Sequence, residues 1–223
     1  MSAKLFSRLM LLLDQAHDGP LNMAIDQALL ETRQLPVLRV YQWTEPTISI
    51  GYRHDLNALR SSLPDWPVVR RWTGGGVVWH DADSTYSLIV PSCEPWSATR
   101  PVESYRLLHG SLAECLKANR DIDCRLAAEH DQKEGVLCFE APALFDIVAG
   151  SHKIAGAGQR RTRDGLLHQG SVKWTLDEAF WLAWAQSLAA QVQVEHVLSA
   201  AVNERAAELV TSRYATAQWL HKA

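Results

Sequence analysis

The chain has 223 residues, 47% of them hydrophobic, and a formal net charge of −3. That is ample apolar material for a sizeable core, and the charge balance excludes a general attraction to nucleic acid or to an anionic membrane surface. No Pro/Ser-rich linker, low-complexity tract or repeat marks a boundary, so a single domain over 1–223 is expected.

The apolar run Leu9–Leu13 ends at Asp14, too short for an export-signal core, and no stretch reaches transmembrane length; a cytoplasmic protein is expected. Four cysteines, Cys93, Cys115, Cys124 and Cys138, show neither Cys-x-x-Cys nor Cys/His ligand spacing. Reduced thiols and no metal site follow from that.

In chain order, Leu21, Ala24, Ile25, Ala28 and Leu29 recur at helical spacing and predict an amphipathic helix over 21–31. Val37–Trp43 alternates and Thr47–Tyr52 is β-branched, predicting two strands separated by a Glu45-Pro46 turn. Val68–Trp72, Val77–His80 and Thr85–Val90 continue the sheet. Thr99-Arg-Pro101 reads as a helix entry, with Val102, Tyr105, Leu108, Leu112, Cys115 and Leu116 on one face.

Leu144–Ala149 and Lys153–Gln159 read as strands joined at Gly150-Ser151, and Asp164-Gly165 as a type I′ hairpin before a strand over 166–173. Thr175-Leu-Asp-Glu178 has the form of a capping box, so C-terminal helices are expected from about 176, the last running from about Ser199 toward Trp219. Hairpins outnumber βαβ units, which predicts an α+β fold with a mixed, largely antiparallel sheet flanked by helices.

The densest chemistry lies in Val69-Val-Arg-Arg-Trp-Thr-Gly-Gly-Gly-Val-Val-Trp-His-Asp81. Three glycines between β-branched runs cost backbone entropy, and such a junction serves a flexible turn or a close approach of backbone to something else. A second segment, Ser151-His-Lys-Ile-Ala-Gly-Ala-Gly-Gln-Arg-Arg161, runs on to Leu166-Leu-His-Gln-Gly-Ser171. Lys153 is flanked by Ile154, Ala155, Gly156 and Ala157, an unusual setting for an idle ammonium.

Together these segments resemble the lipoate–protein ligases and octanoyltransferases, which share a catalytic domain with biotin–protein ligases. The family pattern Arg-Arg-x-Thr/Ser-Gly-Gly-(Gly/Arg)-x-x-x-His-Asp is matched over residues 70–81. Lys-x-x-Gly-x-x-Gln is matched by Lys153, Gly156 and Gln159. Asn22–Leu30 and Pro46–Gly51 fit as well, so the resemblance covers about residues 10–175. It implies a biotin/lipoate ligase-like catalytic domain.

One branch, the octanoyltransferases of Gram-positive type, has a Cys-Phe-x-Ala-Pro element whose cysteine carries the acyl group. Cys138-Phe139, Ala141 and Pro142 reproduce it, and Thr85-Tyr-Ser87 leans the same way. The resemblance implies catalytic roles for Cys138 and Lys153, the lysine contacting the acyl carbonyl. A free thiol of pKa about 8.5 needs activation at neutral pH, which a nearby ammonium provides. Substrate binding falls to Arg71, Thr73, Gly74, Gly75, Gly76, Gly156, Gln159 and Gly170. His80 and His168 are read either as satisfied structural histidines or as part of the site.

Two departures stand beside that site. The order His168-Gln169-Gly170 replaces a His immediately before the glycine, and Ala157-Gly158 replaces the common Ser/Asn-Ala. The leading expectation is transfer of an octanoyl or lipoyl group, without cofactor, from acyl carrier protein through a cysteine thioester to a lipoyl-domain lysine. The acceptor would be a glycine cleavage H protein or a dehydrogenase E2 subunit. The alternatives are an ATP-dependent lipoate–protein ligase and a non-catalytic relative that binds a lipoyl domain or an acyl chain. About 49 residues follow Trp174, few for the accessory domain that ligases use, which favours the transferase.

Overall fold

The computed structural model describes residues 4–131 and 142–222. The chain opens with strand β1 (Phe6–His17), followed by helix α1 (Gly19–Thr32), strands β2 (Val37–Trp43) and β3 (Thr47–Ile50), and the short helix α2 (Leu56–Leu59). Strands β4 (Val68–Arg70), β5 (Val78–His80) and β6 (Ser84–Pro91) precede the long helix α3 (Pro101–Arg120). Strands β7 (Arg125–Leu126), β8 (Ile147–Ala149), β9 (His152–Thr162) and β10 (Gly165–Val172) lead to helix α4 (Glu178–Leu188) and strand β11 (Ala189–Glu195). Helices α5 (Ala200–Leu209) and α6 (Ala217–Leu220) close the chain, joined by a π-helical turn over Val210–Tyr214.

Eight strands form one sheet in the order β11-β1-β2-β6-β10-β9-β8-β7, and a second sheet runs β4-β3-β5. β1 pairs in parallel with both β11 and β2, and the pairs from β2 to β7 are antiparallel. The expected mixed, largely antiparallel α+β architecture is what is observed.

Leu9–Leu13 belongs to β1, which lies between the edge strand β11 and β2. Its odd residues Leu9 and Leu11 face the core shared with α3 and α4, and its even residues Met10 and Leu12 face the core shared with α1 and α5. Burial on both faces is why the run is continuously apolar rather than alternating, and why periodicity alone does not reveal it as a strand. β11, Ala-Ala-Gln-Val-Gln-Val-Glu, joins directly to α4 and is equally silent in the sequence.

Local signals hold with four corrections. The helix over 21–31 forms as α1, but it is buried on all sides from Asn22 through Leu30 rather than amphipathic, because it lies between the sheet and α5. Helix α4 is capped by Asp177, whose side chain accepts from Phe180 N, so the cap lies two residues after Thr175. The β9–β10 hairpin has positive φ at Gly165 (138°) and at neither Arg163 nor Asp164, so it is not the type I′ turn that Asp164-Gly165 predicts. Val102 on the first turn of α3 is exposed at 60%, whereas Leu108, Leu112, Cys115 and Leu116 are buried as expected.

Candidate functional site

The glycine segment is where backbone meets backbone. Thr73–Gly76 passes from β4 toward β5, with Gly75 at φ 95°. A Cβ on Gly51 would lie 2.0 Å from Gly75 O, and one on Gly158 would lie 2.3 Å from Gly74 O. The loop is therefore gripped between two positions that tolerate no side chain. Gly158 stands at one of the two departures from the family pattern, and close packing on the loop is its physical reason.

Arg70 and Arg71 leave the chain on opposite sides, as a strand dictates. Arg70 is fully buried and donates to the carbonyls of Tyr52, His54 and Leu220, binding the C-terminal turn to the loop after β3. Arg71 donates from Nη1 to Ser49 O (2.8 Å) and Oγ (2.6 Å), and from Nη2 to Gly74 O (3.2 Å) and Gly76 O (2.8 Å). It holds the glycine loop in shape through the loop's own carbonyls.

Beneath the loop lies a narrow cavity of about 30 Å³. Gly156, Ala157 and Gly158 of β9 and Gln169, Gly170 and Ser171 of β10 form its floor, and Met23, Tyr41, Trp43 and Thr85 extend it across the sheet. Ser49, Arg71, Gly75, Val78 and His80 form the roof. Register explains the path: Gly156 pairs with Ser171, Ser171 with Thr85, and Thr85 with Tyr41. The cavity thus runs across four strands at one level, from β9 to β2.

Lys153 stands at the β9 end. Its Nζ lies 2.7 Å from Asp146 Oδ2, and both side chains are almost completely buried. A Cβ on Gly156 would meet Lys153 Nζ at 2.6 Å, so the absent side chain is what lets the ammonium lie against the cavity wall. A register shift between Ile147 and Val148, where β8 pairs with β9, accompanies this placement. Asp146 itself accepts from Ala143 N (2.7 Å).

Two polar chains fix the walls. In the first, Thr73 Oγ1 donates to Gln169 Oε1 (2.7 Å), and Gln169 Nε2 donates to Asp26 Oδ2 (2.7 Å). Asp26 also takes Arg39 Nη1 (2.7 Å) and Ser87 Oγ (2.5 Å), and Arg39 reaches Asp14 (2.8 Å). Burial alone would lower the Arg39 pKa, but Asp26 and Asp14 outweigh it and raise it. Gln169 is the other departure from the family pattern; an amide both accepts from Thr73 and donates to a carboxylate.

In the second chain His80 Nδ1 donates to Asp83 Oδ2 (2.7 Å), its Nε2 lies 2.7 Å from Ser49 Oγ, and its ring stacks on Trp43. Burial by itself would lift the Asp83 carboxyl, but His80 and the hydrogen bonds from His80, Ser171 and Thr85 hold it below its ordinary value.

Of the sequence-derived candidates, Arg71, Gly75, His80, Gly156 and Gly170 line the cavity, and Lys153 touches it at Gly156. Thr73, Gly74 and Gly76 act from behind as the loop's hydrogen-bonding frame. Gln159 and His168 are not among its lining residues: they pair with each other (3.0 Å), Gln159 bonds Ser104 of α3, and His168 packs on Tyr86, Tyr105 and His109. Cys138 lies outside the described residues. Cys115 and Cys124 are buried and Cys93 is exposed; burial pushes the Cys115 thiol up to about 11, an inert setting.

Sequence reasoning misses Asp146, Asp83, Asp26 and Arg39. Asp146 carries a readable signal, an acid set against the strand Ile147–Ala149. Among the described residues no group of three metal-ligating side chains occurs, and no helix is long and apolar enough to cross a membrane.

Against known proteins, residues 18–211 match the model of the lipoyl protein ligase A/B catalytic domain. The octanoyltransferase LipM of Staphylococcus aureus is 34% identical over 172 residues, covering 70% of this chain and 62% of that relative. LipM of Bacillus subtilis is 32% identical over 183 residues, covering 74% and 66%. The chain thus spans less than two thirds of the length of these relatives. Among solved structures, the T. acidophilum protein Ta0514 with bound lipoic acid superposes with a TM-score of 0.75 at 20% identity, covering 98% of this chain and 99% of that one. Lipoate-protein ligase A bound with ATP gives 0.69 at 21% identity, covering 96% and 98%. At these identities the structural likeness speaks for the fold.

Proposed function

The chain belongs to the lipoyl protein ligase A/B catalytic domain family, and from that premise we propose that it is an octanoyltransferase of protein lipoylation. The observation that carries the reading is the narrow, mostly apolar cavity under the glycine loop, with the Lys153 ammonium against its wall at Gly156. The LipM relatives support it by name. Acyl carrier protein is the proposed donor and a lipoyl-domain lysine the proposed acceptor.

In the first half-reaction the Cys138 thiolate attacks the donor thioester carbonyl, a new C–S bond forms, and the carrier thiol leaves. In the second, the acceptor lysine amine attacks the acyl-cysteine carbonyl; the C–N bond forms, the C–S bond breaks, and the amine proton goes to the departing thiolate. Exchange between thioesters is nearly balanced and amide formation runs downhill, so no nucleotide is needed. Lys153 serves both steps by stabilising the oxyanion, an effect of about 3 kcal/mol for one donor. Gly156 borders the cavity as backbone, whereas the missing side chain of Gly170 makes room for the Tyr86 ring on the opposite face of the sheet.

The test is intact mass after incubation with octanoyl-acyl carrier protein without ATP. One octanoyl adduct, sensitive to hydroxylamine and absent in Cys138→Ala, is expected. Lys153→Met should slow turnover about 10²–10³-fold. An adduct on Cys93, Cys115 or Cys124 would overturn the assignment, and modification of a lipoyl domain that demands ATP and free octanoate would point to the ligase reading.

A further inference from the structure

The Lys153–Asp146 pair is set on a backbone turn that a protein does not adopt without support. Phe145, the residue before Asp146, has φ 67°. For a bulky aromatic residue the left-handed region is a genuine outlier, and such strain persists only where surrounding contacts over-determine it. Phe145 N donates to Ala127 O (2.9 Å), Ala127 N to Asp146 O (2.7 Å), and Asp146 N to Ala143 O (3.0 Å). The remaining contact comes from helix α3: His109 Nδ1 donates to Phe145 O (2.7 Å).

His109 pays an evident penalty for being there. It is fully buried, and its Nε2 has no hydrogen-bond partner among the described residues. A buried nitrogen without a partner is a standing cost, and an apolar side chain would pack against Tyr105 and His168 without it. What the imidazole supplies and an apolar group cannot is the Nδ1–H aimed at Phe145 O. Burial lowers the His109 pKa, consistent with a neutral ring protonated at Nδ1.

We propose that His109 is a positioning residue: its Nδ1–H clamps the left-handed Phe145 turn, and the turn delivers the Asp146 carboxylate that holds Lys153 against Gly156. Loss of that hydrogen bond lets Phe145 relax to negative φ, which rotates the next residue and draws the carboxylate off the ammonium. The inference rests on the proposed acyl-transfer role of Lys153, but the geometry it describes is testable apart from that role.

Three variants of the full chain decide it: His109→Ala, His109→Asn, and the double variant His109→Ala with Phe145→Gly. With octanoyl-acyl carrier protein as donor, His109→Ala should lower kcat about 10–100-fold, the scale of a misplacement near 1 Å, while KM stays within about twofold. Asparagine places an amide donor near the Nδ1 position and should restore kcat to within about threefold of the parent. Glycine holds positive φ without being clamped, so Phe145→Gly should rescue His109→Ala.

A second readout does not depend on catalysis. Acylation of Lys153 by an amine reagent, followed by peptide mass, should be faster in His109→Ala and return to the parent rate in His109→Asn. If Lys153 labelling follows this pattern while Lys153→Met leaves turnover intact, the positioning inference stands and the acyl-transfer role of Lys153 fails. Parent-like kcat and labelling in folded His109→Ala overturn the inference. So does a folded His109→Asn that stays as impaired as alanine.

Discussion

The two faces of the eight-stranded sheet are built from different materials. The face under α3 and α4 is filled by Trp181, Trp184, Phe180, Tyr86 and aliphatic side chains, close-packed in one cluster. The face under α1 and the glycine loop carries Asp14, Asp26 and Arg39 in buried ion pairs, Gln169, Thr73 and Ser87 in hydrogen bonds, and Gly156 and Gly158 with no side chain at all. Hydrophobic contact closes space; directional polar contacts hold elements at a distance. The difference accounts for the cavity beneath the glycine loop.

Breaking the charge network is the severest way to test this contrast. Arg39 joins two carboxylates at zero exposure, and its loss leaves both buried without their cation. Arg39→Met should cost about 3–5 kcal/mol in denaturant unfolding, because an uncompensated buried charge is expensive. Adding Asp14→Asn and Asp26→Asn should recover part of the stability but not activity, since Gln169 then loses the carboxylate that orients it toward Thr73. A triple variant with full turnover would show that the network serves stability alone.

Glycine positions sharpen the comparison at a smaller scale. Gly158→Ala places a Cβ 2.3 Å from Gly74 O, which is backbone and cannot swing away. About 1–3 kcal/mol of overpacking cost and a displaced loop are expected. On the other face Gly110, within α3, has Leu126 Cδ1 at 3.9 Å as the nearest atom a Cβ would meet. Gly110→Ala should stabilise by about 0.5–1 kcal/mol through helix propensity, with activity unchanged. Equal effects of the two substitutions would refute the close-approach account of the glycine loop.

What the sequence makes legible follows the same division. The glycine segment, Lys153 and Gly156 are readable because their local pattern is odd: glycines in series and a lysine among small apolar residues. Helix α1 and strand β2 are readable by type from their local residue patterns, but not by face: α1 is buried continuously from Asn22 through Leu30, and β2 at Val37, Leu38 and Arg39 in a row. β1 is not, because burial on both sides erases its alternation, and β11 is not, because it continues from a helix without a turn residue. Asp26 and Arg39 pass unnoticed, since Gln169 and Asp14 lie far from them in the chain and only register brings them together; Asp83 is missed although His80 and Thr85 stand within three residues of it. Gln159 is misplaced because a one-residue step along a strand changes the face, and the motif does not say which face is the cavity; of the two readings open for His168, its packing on Tyr86, Tyr105 and His109 fits the structural one.

The mildest prediction concerns pH and again separates the two faces. His168 is fully buried under α3; burial first, then repulsion from His109 and Arg161, drives its pKa well below 6.5. Folded His168 therefore stays neutral where unfolded His168 takes a proton. Below about pH 6.5 the unfolded chain binds more protons, so stability falls as pH drops, by up to about 1.4 kcal/mol per pH unit for one such histidine. On the cavity face Asp83 behaves in the opposite window. Its folded pKa lies below 3.8, so its contribution stays whole above that value and fades only as pH falls beneath it. Loss of stability between pH 6.5 and 5 should therefore come chiefly from the helix-covered face, which holds His168 and His109, with a share from His54 beside the glycine loop, whose pKa burial also lowers. In His168→Leu, urea unfolding across this range should show a slope reduced by about one proton's worth, whatever the absolute stability at pH 8. His109, whose pKa burial also lowers, should retain a smaller share of the slope. An unchanged slope in His168→Leu would place the titration elsewhere, and a flat parent profile would show that none of these histidines is protonated on unfolding in this range.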